Sequence, residues 1–155
     1  MQPCDSLSLR ELPALVPLRS HLRRLVVNGN PTDIVVWGDE LTRQYQCGAR
    51  YLLITNYDHF EAVTHWFYLL GSDGRVIDQA STPDYFGFFE KESIEASQEL
   101  SFGFYGTNDR WRLRVMESGQ WSFAGFNLRL RVNRFLLRKR FLHFERSVGE
   151  PWQRE

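Results

Sequence analysis

Very little in this chain of 155 residues could staple, anchor or catalyse by a familiar route. It has two cysteines, Cys4 near the start and Cys47 beside a glycine, too few for a disulfide framework in a chain of this size, so both are expected as free thiols. No run approaches the roughly 18 consecutive apolar residues that a membrane helix requires. MQPCDSLSLREL lacks both the basic start and the apolar stretch of a secretion signal. The expectation is a soluble, cytoplasmic protein that makes no use of a membrane. GxSxG, the P-loop, GxGxxG, HExxH and CxxC are all missing, which removes the usual sequence support for acyl transfer, nucleotide binding and zinc. No metal or cofactor is expected.

Net charge is absent as well, because 19 Lys/Arg balance 19 Asp/Glu, but the balance is uneven along the chain. Residues 1 to 105 carry 8 basic against 14 acidic side chains, whereas residues 106 to 146 carry 10 against 3. Such asymmetry fits either an anionic partner or neutralisation of one half by the other.

What is present is strand-like. The length and composition fit one domain, 1 to 155, divided into an N-terminal helical segment (1 to 30), an antiparallel sheet (31 to 132) and a C-terminal helix (133 to 148). Pro17 is tolerated in a first helical turn, Leu18, Leu22, Leu25 and Val26 recur at helical spacing, and Asn28-Gly29 offers a left-handed stop. From Asp33 onward Val, Ile, Phe, Tyr and Trp dominate between turn residues. IVVW and ELTRQYQ read as a hairpin about Gly38-Asp39, ARYLLITN and AVTHWFYLLG as a second pair about YDHFE, and LSFGFY, RWRLRVM and WSFAGFNLRLRV as a meander through GTND and ESGQ. EKESIEASQE reads as a short acidic helix, and NRFLLRKRFLHFERS as a terminal helix carrying Phe135, Leu136 and Leu142, with Phe141 near them, on one side, a continuing strand being the alternative. The expected class is α+β, β-dominant, with a strongly curved or partly closed meander sheet and a helix at each end.

Three groups of residues are candidates for function. In RWRLRV and NLRLRV the arginines alternate with apolar residues, so Arg110, Arg112 and Arg114 should share one face with Arg129 and Arg131 if a bulge at Ala124-Gly125 corrects the phase. That face would take an anion through guanidinium forks, or be covered internally by Glu92, Glu95 and Glu99. Nucleic acid is disfavoured, because the aromatics that would stack on bases lie on the opposite face. A second candidate is the aromatic loop PDYFGFFEK, in which Tyr85, Phe86, Phe88 and Phe89 could anchor a partner or lid a cavity. The third is Asp58, His59 and Glu61 with His65, titratable groups at a turn whose spacing matches no metal pattern.

His21 and His143 read as ordinary surface or half-buried histidines, and Cys47, flanked by Arg43 and Arg50, as a weak nucleophile candidate. Small size, opposed charge segments and no catalytic signature favour a non-catalytic binding protein with a protein partner, of adaptor or toxin-neutralising immunity type. The alternatives are a carrier of a small apolar ligand in the curved sheet, a binder of nucleic acid or another anion through the arginine face and, last, an enzyme built on the His59 region.

Overall fold

The computed structural model describes residues 1–12, 21–82, 87–122, 126–127, 132–133 and 138–148. They form fourteen strands: β1 (Gln2–Pro3), β2 (Leu7–Glu11), β3 (Leu22–Val27), β4 (Asn30–Trp37), β5 (Glu40–Cys47), β6 (Arg50–Asp58), β7 (Val63–Leu70), β8 (Val76–Ser81), β9 (Phe89–Ala96), β10 (Glu99–Phe104), β11 (Asp109–Ser122), β12 (Phe126–Asn127), β13 (Val132–Asn133) and β14 (Arg138–Val148). The fold is all-β, with no helix among the described residues, and the α+β expectation is wrong at both ends.

At the N-terminal end, Leu22, Leu25 and Val26 lie on β3, which pairs with β2 and β4. Asn28 and Gly29 do adopt positive φ, 49° and 77°, but as the two-residue turn of the β3–β4 hairpin, where Val27 pairs with Asn30. Asparagine followed by glycine is the signature of a type I′ turn as well as of a helix stop, and the β-branched pair Val26-Val27 fits the strand. Ser8 and Glu11, spaced like a helix cap, sit on β2. At the other end β14 alternates with period two: Arg140, Leu142 and Phe144 are buried, and Lys139, His143 and Glu145 are exposed. The buried arginine hid that alternation. Phe135 and Leu136 lie outside the described residues. The acidic segment is no helix either, for it forms β9 and pairs antiparallel with β10.

Three antiparallel sheets result, ordered β1-β5-β6-β7-β8-β13-β12, β14-β11-β10-β9 and β2-β3-β4. One hydrophobic cluster joins the first to the second, with Tyr45, Leu52, Ile54, Phe67 and Leu69 packed against Leu100, Phe102, Phe104, Trp111, Leu113 and Phe144. Another joins the first to the third, with Leu53, Tyr68 and Leu70 against Leu7, Leu25 and Val36. The seven-stranded sheet is therefore the middle layer, covered on both faces, and this is why β6 and β7 read as nearly unbroken apolar runs.

Gly38-Asp39 is not a hairpin turn, because among the described residues β4 pairs with β3 while β5 pairs with β1 and β6. The chain crosses there from the three-stranded to the middle sheet. Gly38 has φ 109°, and a Cβ on it would stand 2.6 Å from Thr55 Oγ1, so the crossing needs glycine. ESGQ is not a turn either: β11 runs through it, and its register against β14 jumps between Val115 and Gln120. Among the described residues no helix is long and apolar enough to cross a membrane, which says nothing of a β-barrel.

Candidate functional site

The alternation in RWRLRV holds on β11, where Trp111, Leu113 and Val115 are buried and Arg110, Arg112 and Arg114 exposed. NLRLRV is not its neighbour. The ends of that stretch lie in β12 and β13, which pair with each other in the middle sheet, whereas β11 pairs with β10 and β14. Arg129 and Arg131, like the Ala124-Gly125 bulge, lie outside the described residues.

Two of the β11 arginines, Arg112 and Arg114, are matched by acids on the neighbouring strands. Glu99 on β10 meets Arg112 Nε at 2.9 Å and Arg114 Nη2 at 2.9 Å. Glu145 on β14 approaches Arg112 Nη1 and His143 Nε2, each at 3.5 Å. Of the other two expected acids, Glu92 binds Arg43 across the sheets and Glu95 accepts from Ser93. Arg110 makes no ion pair among the described residues. Charges lying opposite one another on neighbouring strands have thus tied Arg112 and Arg114 into a network on one sheet face.

The expected polar cluster comes apart. Asp58 accepts the backbone N–H of Phe60 at 2.8 Å, shaping a turn in which Phe60 takes φ 69°. Glu61 is exposed. His65 points the other way, fully buried between the middle and four-stranded sheets, with its ring 4.9 Å from that of Phe104. Its Nε2 donates to Gly87 O at 3.1 Å, and burial lowers its pKa to about 4, so it is neutral and structural.

His59 instead joins residues that sequence spacing did not connect. Its ring meets Tyr57 edge-on at 4.2 Å, and its Nε2 contacts Thr64 Oγ1 at 3.0 Å. The other side of Tyr57 is covered by His21 at 3.6 Å. His21 Nδ1 lies 3.3 Å from Asp39 Oδ2, and Arg23 Nη2 lies 3.0 Å from Asp39 Oδ1. Beside them Trp37 stacks on Trp66, with centroids 6.5 Å apart and planes 19° from parallel.

The crossing at Gly38 assembles this group. It lays the end of β4 over the side of β6 and β7 that carries Thr55, Tyr57, Thr64 and Trp66, and it is clamped by Gly38 N to His21 O and Asp39 N to Asn56 O, both 2.8 Å. Trp37 N donates to Tyr68 Oη at 2.8 Å, and Thr55 Oγ1 donates to Trp37 O at 2.6 Å. The indole so held is 47% exposed. No local pattern could have revealed the cluster, since its members come from β3, β4, β6 and β7 and from residues just outside strands, His21, Asp39 and His59. Trp37 directly before Gly38-Asp39 was the one available hint.

As chemistry the cluster is an aromatic surface with a polar margin. Thr64 is itself buried, which places its hydroxyl poorly for attack on a substrate. Among the described residues no group of three or more His, Cys, Asp or Glu could hold a metal ion. Cys4 and Cys47 are free, and burial pushes the Cys47 thiol up to about 11, the reverse of what a nucleophile needs.

In the aromatic loop Phe89 belongs to the core, Phe88 is exposed, and Tyr85 and Phe86 lie outside the described residues. Gly87 fits against Tyr105 so closely that a Cβ would lie 2.3 Å from Tyr105 O, and Tyr105 beside it is 69% exposed. No protein-family model, curated protein or solved structure matches the chain.

Proposed function

We propose that the protein is a non-catalytic, cytoplasmic binding protein acting through a protein partner, as an adaptor or a toxin-neutralising immunity-type protein does, and that the Trp37 surface is its contact. The observation that carries this is a half-exposed indole on a strand end whose backbone is fixed by Tyr68 and Thr55. Tryptophan, tyrosine and arginine supply most interface energy when they are held in place within a polar rim, and Trp37, Tyr57 and Arg23 stand here beside Asp39 and two histidines. The alternatives have less support. The space between the middle and four-stranded sheets, where an apolar ligand would sit, holds the rings of Phe67, Phe89, Phe102, Phe104 and Trp111 in mutual contact. The forks of Arg112 and Arg114, two arginines of the ladder, are engaged by Glu99 and so are less available to a phosphate backbone.

The test is affinity capture from the native cell with the wild-type chain, Trp37→Ala and the pair Arg112→Gln/Arg114→Gln, each first shown to be folded. A protein retained by the wild type and by the arginine variant but weakened at least tenfold by Trp37→Ala is the expected result. Identical capture by all three chains, or nucleic acid that is lost with the arginines, would overturn it.

A further inference from the structure

The basic stretch Arg138–Arg140 leads β14 into the interior. Lys139 is exposed, but Arg140 shares the parity of Leu142 and Phe144 and is buried with them, its side chain 6% exposed. Facing it is Asp78 on β8, 1% exposed. Asp78 Oδ2 accepts the backbone N–H groups of Phe141 and Leu142 at 2.7 and 2.8 Å, and Oδ1 accepts that of Gln79 at 2.8 Å. This carboxylate therefore ties the middle sheet to the four-stranded one mainly through main-chain donors. Arg140 reaches it only with Nη1, at 3.4 Å, well beyond the roughly 2.7–2.9 Å of a charge-assisted bond.

The other two donor atoms of Arg140, Nε and Nη2, are buried and have no hydrogen-bond partner among the described residues. They lie along one edge of a planar guanidinium, the edge that grips two oxygens of a carboxylate or a phosphate at once. Lys139 and Phe141 have the other parity on β14 and lie on its opposite face, where Arg50 stands 4.9 Å and Lys139 6.0 Å from the Phe141 ring and Arg50 donates to Met116 O and Glu117 O at 2.8 and 2.9 Å. Of these three cations, Arg140 alone meets a carboxylate among the described residues. The strand opposite departs from regular pairing at this point. Val115 pairs with Leu142 and Gln120 with Arg140, so residues 116 to 119 bulge out of the ladder across from Phe141.

We propose that the Nε–Nη2 edge of Arg140 is a receptor for a small oxyanion, a carboxylate or phosphate group, held between the two sheets at the bulged end of β11. The site lies on the four-stranded side of the middle layer, apart from the Trp37 surface, and stands or falls independently of the protein-partner reading.

The experiment follows thermal unfolding of the whole chain in inorganic phosphate, in acetate, and in chloride of matched ionic strength, for the wild type, Arg140→Lys and Arg140→Met. At about ten times Kd the oxyanion should raise the wild-type midpoint by roughly 3–6 °C over the chloride control. Arg140→Lys keeps the charge and loses the fork, so it should respond by less than about 1 °C, as should Arg140→Met. Whether phosphate or acetate gives the rise identifies the ligand group. Should Arg140→Met fail to fold, the lysine variant carries the comparison, together with the Arg140 Nε–H resonance of the wild type, which should move on titration with the effective anion. No response of the wild type to either anion, or an equal response in all folded chains, would overturn the proposal.

Discussion

The two faces of the middle sheet are closed in different ways. Towards the four-stranded sheet the contact is a continuous run of rings: Phe102 stacks near-parallel on Phe89 at 4.7 Å and on Trp111 at 6.3 Å, and Phe144 meets Phe67 edge-on at 5.1 Å. Towards the three-stranded sheet the contact is aliphatic at the Leu25 and Leu70 end, and at the Trp37 end it gives way to Asp39, Arg23, Tyr57 and two histidines. The first face is organised for stability, since buried apolar area and close packing dominate there. The second sacrifices closure at one end, and that end is where the half-exposed indole and the titratable groups collect.

The largest effect should come from breaking the ring face. Trp111 is almost fully buried between Phe102, Phe104 and the guanidinium of Arg146. Trp111→Ala should lose about 3–5 kcal/mol in a denaturant titration, as buried aromatic truncations do. A loss below about 1 kcal/mol would mean that the two faces do not differ in the way described.

His65 probes the same face through pH. Its folded pKa, lowered from 6.5 to about 4 mainly by burial, means that the unfolded chain binds the proton more readily. The stabilising contribution is thus present above about pH 6.5 and is lost as pH falls towards 4, with a total on the order of 3 kcal/mol. Unfolding free energies measured across this window should decline less in His65→Gln than in the wild type. Parallel profiles would show that the imidazole is solvated in the folded protein.

The smallest effect is expected on the outer side of the four-stranded sheet, where Arg112 and Glu99 are paired but Arg112 is half exposed. A double-mutant cycle of Arg112→Gln and Glu99→Gln should give a coupling of about 0.2–1 kcal/mol that shrinks with salt. A coupling that salt leaves unchanged would place the pair in the interior and remove the contrast between this surface and the core beneath it.

Strand content was legible wherever alternation was carried by plainly apolar and plainly polar residues. Arg110 to Val115 is the clear case, and Tyr51 to Leu70 shows the longer apolar runs of a doubly covered sheet. It failed where one residue broke the code. Arg140 is buried, which disguised β14 as an amphipathic helix, and Asn28-Gly29 suits a helix end as well as a hairpin. Pairing was less legible than strand content, because ESGQ has the composition of a turn, yet β11 passes through it and takes β14 as its neighbour. The His21, Asp39 and Tyr57 group was hidden for a different reason: it exists only once two sheets are stacked, and stacking leaves no local spacing to read.

The anchoring of Trp37 also governs self-association. β4 is an outer strand of the smallest sheet, and Ile34-Val35-Val36-Trp37 is an apolar run of the kind that recruits a second strand from solution. At Trp37 the outward N–H is already given to the Tyr68 hydroxyl and the carbonyl already accepts from Thr55. A few residues earlier the register against β3 is broken, and Ile34 N–H is taken by Thr32 Oγ1. An incoming chain therefore finds no continuous row of main-chain groups with which to zip, so Val35 and Trp37, the exposed residues of the run, can stay on the surface as a recognition element without seeding aggregation.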